Sequence, residues 1–277
     1  MKKKEAFFEI IRYILLALFL LLAVFPVIWI FLTSIKPPTE VYTFPVKYLP
    51  SSPTFENYKK LFEYANFGRY FANSLIVATT SAAISTAFAI LAGFSLARYQ
   101  GRMIYYIVTF LFFSQMLPAY LVMIPQYVMF SRFRLVDKLL GVIIIYSGLG
   151  ASFSTIMARG FFARIPKELE EAARVDGCNR FQALIKITLP LVAPGIAAIF
   201  SFCFVNSWNE VFVASLFLNS SDKYTVPVAL YSFISKAGVN WGFLSAGLVV
   251  ALLPTIVVFA FAQRYIIEGL TQGSVKG

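Results

Sequence analysis

The sequence predicts an all-α membrane protein with six transmembrane helices, on three observations. Of the 277 residues, 59% are apolar and only 13% are charged, and the mean hydropathy of +0.76 is far above that of a soluble domain. Six predominantly apolar windows of 20 residues or more stand out, and about 20 such residues in a helix cross the hydrocarbon core of a bilayer. Within those windows the only charged residue is Glu210.

Each predicted span is bounded by polar or charged segments. The spans cover Tyr13–Leu32, Phe71–Ala97, Met103–Ser131, Leu139–Ala158, Leu191–Leu218 and Trp241–Gln263. The first follows the basic start Met1–Lys4 without a small-residue cleavage site, so we expect it to be retained rather than removed as a signal peptide. Prolines in or beside the first, third, fifth and sixth windows predict kinks, which membrane bundles tolerate when neighbouring groups satisfy the freed carbonyls.

The distribution of basic residues predicts which side of the membrane each loop occupies. With six spans, both termini share a side, and the loops on that side hold 14 of the 24 Lys and Arg residues. The other 10 are spread over longer segments. Because basic residues accumulate on cytoplasmic loops, we expect both termini in the cytoplasm and the segments 36–70, 132–138 and 219–240 outside.

Composition argues against several other classes. The formal charge of +11 is explained by contact with membrane lipid, since no basic run interleaved with aromatics follows Lys2–Lys4, and we expect no nucleic-acid partner. The two cysteines, Cys178 in a polar loop and Cys203 in an apolar run, do not suggest a disulfide. Without histidine, we assign no catalytic residue and no metal site. The sequence also lacks the G-x-x-x-x-G-K-[ST] loop that would cradle the phosphates of ATP.

The polar segment between the fourth and fifth spans has the pattern of two short helices. Pro166 suits a first helical position, Lys167–Arg174 are strong helix formers with acids near the positive end, and Gly177 ends the run. A second helix is predicted over Asn179–Ile187, with the asparagine as N-cap, and it should stop before Pro190. From these residues alone, the segment either lies on lipid headgroups or fits a groove of a partner protein.

The residues of this loop resemble a known sequence motif. It reads Glu171-Ala172-Ala173, three residues, Gly177, nine residues, Ile187, one residue and Leu189-Pro190. This spacing resembles the EAA loop of binding-protein-dependent ABC importer permeases. The resemblance implies a type I ABC importer permease fold, in which cytoplasmic EAA coupling helices dock into a cleft of the ATPase subunit and move when ATP closes the ATPase dimer. The resemblance assigns ATPase coupling to Glu171, Ala172, Ala173, Asp176, Gly177, Ile187, Leu189 and Pro190.

A second resemblance lies at the C-terminus. Arg264–Gly277 reads RYIIEGLTQGSVKG, and its ending is similar to the tail of the smaller partner in maltose-type sugar permeases. In that subfamily the tail follows the interface between the two ATPase subunits, a role implied here for Gly273, Val275, Lys276 and Gly277. By composition alone, the same segment would be a frayed, glycine-rich terminus.

The resemblance also implies an organisation and a set of partners. We expect the first helix and a Pro-rich external segment over 1–69, a core permease domain over 70–267 with the EAA loop at about 164–190, and a cytoplasmic tail over 268–277. A paralogous permease, an ABC ATPase dimer that binds ATP and Mg²⁺, and an extracytoplasmic sugar-binding protein would complete the complex. The implied function is ATP-driven import of a sugar or oligosaccharide by alternating access across a bacterial inner membrane, with no cofactor on this chain.

A polar and aromatic cluster in the fifth window is the candidate solute pathway. Its members are Asn206, Trp208, Asn209 and Glu210. Such groups are expensive in hydrocarbon and usually face a bundle interior or a water-filled cavity, and amides, a carboxylate and an aromatic plate suit a hydroxyl-rich solute. In the alternative interpretation, the asparagines join helices by hydrogen bonds while Glu210 reaches the external interface. In the family that the loop resembles, sugar contacts from this span belong mainly to the larger partner, so these residues would either line a gate or bind the solute directly.

Two other functions stay open at this point. Related permeases carry glycerol-phosphate compounds or peptides, but a phosphate solute would call for Arg or Lys facing the pathway, and none lies within the spans. A membrane-embedded enzyme or scaffold would need a catalytic pair, and Glu210 has no visible partner. Arg98, Arg102, Arg159 and Arg164 bracket turns on the cytoplasmic side, and we interpret them as headgroup anchors.

Overall fold

The computed structural model describes residues 2–235 and 238–271, with side chains over 8–63, 65–118, 120–234 and 238–263, and most of this chain is helical. The helices are α1 (Lys2–Ser34), α2 (Glu56–Tyr64), α3 (Phe67–Arg98), α4 (Arg102–Met116), α5 (Ala119–Arg132), α6 (Leu139–Ala163), α7 (Glu168–Val175), α8 (Arg180–Ala183), α9 (Leu189–Asn209), α10 (Phe212–Phe217), α11 (Val226–Ser232) and α12 (Trp241–Thr271). A π-helical turn (Leu184–Thr188) joins α8 to α9, and a 3₁₀ turn (Ser221–Lys223) precedes α11. Two short strands, β1 (Ile234–Ser235) and β2 (Gly238–Val239), pair antiparallel.

Five of the described helical stretches are long and apolar enough to cross a membrane. They are Phe8–Ser34, Phe67–Arg98, Leu139–Ala163, Arg180–Asn209 and Trp241–Gln263. Helices α4 and α5 pass the same test only as a pair, and the chain bends by 98° between them. With that pair counted as one broken span, each of the six predicted windows has a helical counterpart.

The third window, predicted as one helix, is broken at Pro118. Leu117 and Pro118 both have an extended backbone with ψ of 122°. Proline disfavours helical geometry in the residue before it and has no N–H to continue the hydrogen-bond ladder. The bend therefore follows from the Leu117-Pro118 pair, and α5 begins anew at Ala119.

The fifth window differs from its prediction at both ends. The second helix of the preceding loop does not stop before Pro190: it continues through the π-helical turn, in which the Leu189 N–H donates to the Leu184 carbonyl, into α9. The wider turn leaves room for a proline ring that would clash in a regular helix. At the other end, α9 stops at Asn209, Glu210 is extended, and α10 follows as a separate short helix.

The chain forms two compact units, one of Met1–Gly68 with Ala229–Leu253 and one of Arg69–Val228 with Pro254–Gly277. In the first, Asn57 is buried, and its side-chain amide donates to the carbonyls of Ser34 at 3.0 Å and Lys36 at 2.9 Å. Because Ser34 is the last residue of α1, this one amide ties the end of α1 to α2.

In the second unit, α6 packs against α4 and α9, and small residues bring α3 close to α6. The Ser85 hydroxyl donates to the Ser147 carbonyl at 2.9 Å. A Cβ added at Gly93 would lie 2.6 Å from the Cβ of Ala158, so the helices touch almost backbone to backbone. Small residues and hydroxyl groups at helix interfaces are the usual means of association within a bilayer.

The turn between α5 and α6 is fixed by Asp137, a residue with φ of +59°. Its carboxylate accepts the backbone N–H groups of Asn219 at 3.0 Å and Ser220 at 2.9 Å, the Ser220 hydroxyl at 2.5 Å and the Lys223 ammonium at 2.9 Å. The Ser220 hydroxyl above all, followed by the Lys223 ammonium, holds the pKa of the Asp137 carboxyl well below its usual range. The carboxylate thus joins this turn to the segment after α10.

Replacing Asp137 by Asn should lower the melting temperature of the purified protein at neutral pH, by roughly 2–4 °C for each kcal/mol lost. The depressed pKa contributes stability that is complete above the pKa of an unfolded aspartate, about 3.9, and is lost as the pH falls towards the lower folded value. The difference between wild type and Asp137→Asn, measured by thermal unfolding from pH 7 to pH 3.5, should therefore shrink below about pH 4. Asp222→Asn, which affects a more exposed pair with Arg69, is the control and should change little; an equal loss in both variants would contradict the assignment.

Candidate functional site

The 164–190 loop, which connects α6 to α9, has its first helix ended by a glycine as the sequence predicts. The Cys178 N–H donates to the Ala173 carbonyl at 3.0 Å and the Gly177 N–H donates to the Arg174 carbonyl at 3.1 Å. This pair of bonds is a Schellman motif, which needs a left-handed residue at its turn. Gly177 supplies it with φ of +88°, a value that other residue types adopt only with strain.

The second helix of the loop starts at the predicted cap. The Asn179 side chain accepts the Gln182 backbone N–H at 2.8 Å, and the Gln182 side chain accepts the Asn179 backbone N–H at 2.9 Å. This reciprocal capping box satisfies two N–H groups that a helix start otherwise leaves open. The chain direction is therefore fixed at the reversal between α7 and α8.

The loop presents part of the predicted coupling set at its surface. Glu171 and Ala172 are exposed, whereas Ala173 is buried. Of the other members, Asp176, Gly177 and Pro190 are exposed, and Ile187 and Leu189 are half-buried. Among the apolar side chains of the loop that we did not predict as site residues, Val175 at 88% and Phe181 at 62% are the most exposed. Their apolar character in a polar loop was the available signal. The predicted tail residues Gly273, Val275, Lys276 and Gly277 lie outside the described residues.

The interpretation of Arg98 as a headgroup anchor is wrong, because its guanidinium lies in a mostly buried network under the loop. It approaches the Glu170 carboxylate at 2.6 Å and donates to the carbonyls of Phe162 at 2.9 Å and Ile165 at 3.1 Å. The two charged side chains are only 10% and 14% exposed. Glu170 also accepts the Thr188 hydroxyl at 3.0 Å. One ion pair thus joins the end of α3, the end of α6, α7 and the π-helical turn before α9.

A second contact ties α8 to the end of α3. The Arg180 guanidinium lies over the ring of Tyr99, 5.5 Å from its centroid, and donates to the Tyr99 hydroxyl. A cation over an aromatic face is attracted by the negative charge density of the ring. Both helices of the loop are therefore attached to α3.

A cavity of about 290 Å³ lies between α4, α6 and α9. Its polar lining comes from Gln115, Tyr146, Asn206, Ser207 and Glu210. The rest is apolar and includes Phe153, Phe202 and Cys203. Mostly apolar walls with a few polar groups are typical of small-molecule sites.

Glu210, which the sequence left without a partner, is saturated with hydrogen bonds. Its carboxylate accepts the Tyr146 hydroxyl at 2.5 Å and the backbone N–H groups of Phe212, Val213 and Ala214 at 2.8–3.3 Å. These N–H groups belong to the first turn of α10, where a carboxylate is favoured by the helix dipole. The side chain therefore caps α10 and fixes the break after α9, and the expectation of an unpartnered Glu210 is corrected.

The other predicted pathway residues separate into two groups. Asn206 lines the cavity, and its amide donates one hydrogen bond to the Phe202 carbonyl at 2.8 Å. Trp208 is only 2% exposed, stacks on Phe204 with ring centroids 5.8 Å apart, and meets Phe71 edge-on at 5.5 Å. Asn209 is exposed but does not line the cavity. Trp208 is two residues from Asn206, so the helical repeat places their side chains on opposite faces of α9. The side chain of Trp208 is thus part of the packed interior.

Comparison with known proteins identifies the family. Residues 89–272 match the family described as the inner membrane component of binding-protein-dependent transport systems. The chain belongs to this family. Its members are ABC importer permeases, so the chain is a membrane-spanning transport subunit and not an enzyme.

Individual relatives agree with this family over nearly the whole chain. The diacetylchitobiose uptake system permease protein DasC of Streptomyces coelicolor is 36% identical, over 92% of each chain. The arabinooligosaccharides transport system permease protein AraQ of Halalkalibacterium halodurans is 32% identical, again over 92% of each. Among solved structures, a chain of a bacterial ABC transporter involved in the import of the acidic polysaccharide alginate is 27% identical, with a TM-score of 0.84, over 95% of this chain and 97% of that one. The permease has the type I ABC importer fold.

Replacing Arg98 by Ala should loosen α7. Glu170 would keep only the Thr188 hydroxyl, and breaking a buried ion pair on one side typically costs about 3–5 kcal/mol. We expect amide hydrogen exchange of residues 168–175 to become roughly a hundredfold faster. Arg102→Ala removes an exposed arginine four residues away and is the control; similar exchange in both variants would show that the ion pair does not hold the helix.

Proposed function

We propose that this permease carries a sugar or oligosaccharide across the membrane by alternating access, and that the 164–190 loop transmits the closure of a partner ATPase to it. The observation that carries the proposal is the network of Arg98 and Glu170. A loop that transmits a movement of the ATPase must be stiff and attached to the spans that move. This network attaches α7 to α3, α6 and the start of α9. The saccharide solute is supported by the relatives, whose names specify diacetylchitobiose and arabinooligosaccharides.

The surface of the loop suits docking into a protein cleft. Glu171, Ala172 and Gly177 are exposed, and the same loop exposes the apolar side chains of Val175 and Phe181. Exposed apolar side chains with a polar rim are typical of protein contacts. The partner would be an ABC ATPase dimer that holds ATP and Mg²⁺, since this sequence has no P-loop.

The remaining partners follow from the same function. A paralogous permease would complete the translocation pathway as a heterodimer, and an extracytoplasmic binding protein would deliver the solute. The tail residues Gly273, Val275, Lys276 and Gly277 would follow the ATPase interface. A glycerol-phosphate solute is less well supported, because no Lys or Arg is among the residues that line the cavity in the described part of the chain.

The proposal is tested by reconstituting the permease in liposomes with its candidate partner permease, ATPase and binding protein. Diacetylchitobiose and arabinooligosaccharides are the first solutes to try. Stimulation of ATP hydrolysis and uptake by one loaded binding protein would support sugar import. An assembled complex that responds to none of them, but responds to a glycerol-phosphate compound, would overturn the sugar assignment.

In that assay, Gly177→Val should uncouple ATP hydrolysis from uptake. A valine at φ of +88° is strained and would shift the end of α7, while the space around the glycine leaves insertion and folding of the spans unaffected. We expect uptake to fall at least tenfold with ATP hydrolysis retained. Gly160→Val, on α6 with no atom near its added Cβ, is the matched control; normal uptake by Gly177→Val would contradict the coupling role.

The proposed orientation, with both termini and the 164–190 loop in the cytoplasm, can be tested through the native thiols. Cys178 lies half-buried in the loop and Cys203 is buried, so a membrane-impermeant maleimide should label Cys178 in inverted vesicles and not in right-side-out vesicles. Cys178→Ser should abolish the signal. Labelling of Cys178 in right-side-out vesicles would show that the chain has the opposite orientation.

A further inference from the structure

A second cavity adjoins the first and is lined by uncharged polar side chains. It has a volume of about 730 Å³ and lies between α4, α5 and α6. Its polar lining is formed by Ser114, Gln115, Gln126 and Ser152. Gln115 and Leu149 line both cavities, so the two cavities adjoin at these side chains, and we refer to them together as the recess.

The hydrogen-bonding groups available in this recess are amides and hydroxyls. The carboxylate of Glu210 already accepts the Tyr146 hydroxyl and the N–H groups that start α10, so binding a solute there would undo the cap. Asn206 uses one of its N–H groups on a carbonyl of its own helix. Among the described residues, the side chain of Gln115 has no hydrogen-bond partner.

An unpartnered amide in a membrane span needs an explanation. Polar side chains within a membrane span are costly in lipid and usually face the bundle interior or a water-filled cavity. Gln115 is exposed, precedes the break at Pro118, and is the polar residue common to both cavities. Its carbonyl oxygen and two N–H donors give it the full capacity to accept from and donate to hydroxyl groups.

An aromatic surface lies in the same recess. The rings of Phe153 and Phe202 are 4.7 Å apart with an angle of 35° between their planes, and both line the first cavity. The apolar C–H face of a pyranose or furanose ring can lie on such a surface while its hydroxyls reach neighbouring amides. Apolar walls with a few convergent polar groups are the usual composition of a site for an organic solute.

We propose that Gln115 is a solute-contact residue of this chain, and that it selects an uncharged saccharide by hydrogen bonds to its hydroxyl groups as the sugar passes between the two cavities. Phe153 and Phe202 provide the stacking surface, and Glu210 is a structural cap rather than a solute ligand. This inference rests on the proposed sugar import and adds to it the contact residue and the charge class of the solute. The lining of the described recess contains no Lys or Arg, so a carboxylated sugar would find no counter-ion in this recess.

The test uses the reconstituted complex at saturating loaded binding protein, with diacetylchitobiose, arabinooligosaccharide and alginate oligosaccharide as solutes. Gln115→Ala should lower the uptake of the neutral solute carried by the wild type roughly fivefold, the equivalent of one hydrogen bond. ATP hydrolysis without solute should be unchanged. Gln100→Ala, which removes an exposed glutamine from the turn before α4, is the matched control and should transport normally.

Uptake by Gln115→Ala at the wild-type rate would overturn the contact. If the wild type transports the alginate oligosaccharide and neither of the neutral solutes, the assignment of an uncharged solute is wrong. A wild-type complex that transports no saccharide at all would instead contradict the proposed function, so the two failures are distinguishable.

A second measurement guards against a variant that merely assembles badly. In a Cys178→Ser and Cys203→Ala background, a cysteine placed by Gln115→Cys should react with a small methanethiosulfonate reagent. The transported saccharide, with its binding protein, should slow that reaction. Labelling that the saccharide does not slow, or a cysteine that the reagent cannot reach, would overturn the proposal whatever the uptake of Gln115→Ala.

Discussion

The mostly buried pair of Arg98 and Glu170 is the constraint on which the 164–190 loop depends. Helix α7 has eight residues, too few to be stable in water without tertiary contacts. The planar guanidinium offers five N–H donors in a fixed fork, and it donates to a carboxylate of α7, to the Phe162 carbonyl in the last turn of α6 and to the Ile165 carbonyl just after that helix. Carbonyls at a helix end are open to partners outside the helix, so one side chain bonds this region of the chain and fixes α7 at the same time.

Helix α9 connects this network to the cavity, because a carboxylate holds the chain at each of its ends. Glu170 accepts the Thr188 hydroxyl just before the helix, and Glu210 follows its last residue and caps α10. With 21 residues, α9 is about 32 Å long. In the proposed mechanism, a displacement of α7 would reach Asn206 and its cavity through this one helix, which is anchored at both ends.

The features that the sequence predicts correctly are local in the chain. The apolar windows, the left-handed Gly177 and the cap at Asn179 each depend on a few neighbouring residues, whose preferences are known. The features it misses depend on partners far along the chain. Arg98 meets Glu170 at a separation of 72 residues, and Glu210 meets Tyr146 at a separation of 64. A charge near a membrane boundary has the same sequence signal whether it anchors to lipid or fills a buried network.

The proposed solute pathway shows the same limit. A charged residue in a span is a strong sequence signal, so the sequence favours Glu210. Gln115 carries no charge and gives no comparable signal. The hydrogen bonds of Glu210 and the burial of Trp208 leave amides and hydroxyls as the polar groups of the recess. An importer must release what it binds, and a transport site works when binding is favourable enough to enter and weak enough to leave. Neutral hydrogen bonds, each contributing about 1 kcal/mol, meet that condition better than a buried carboxylate, whose charge-assisted bonds are about twice as strong.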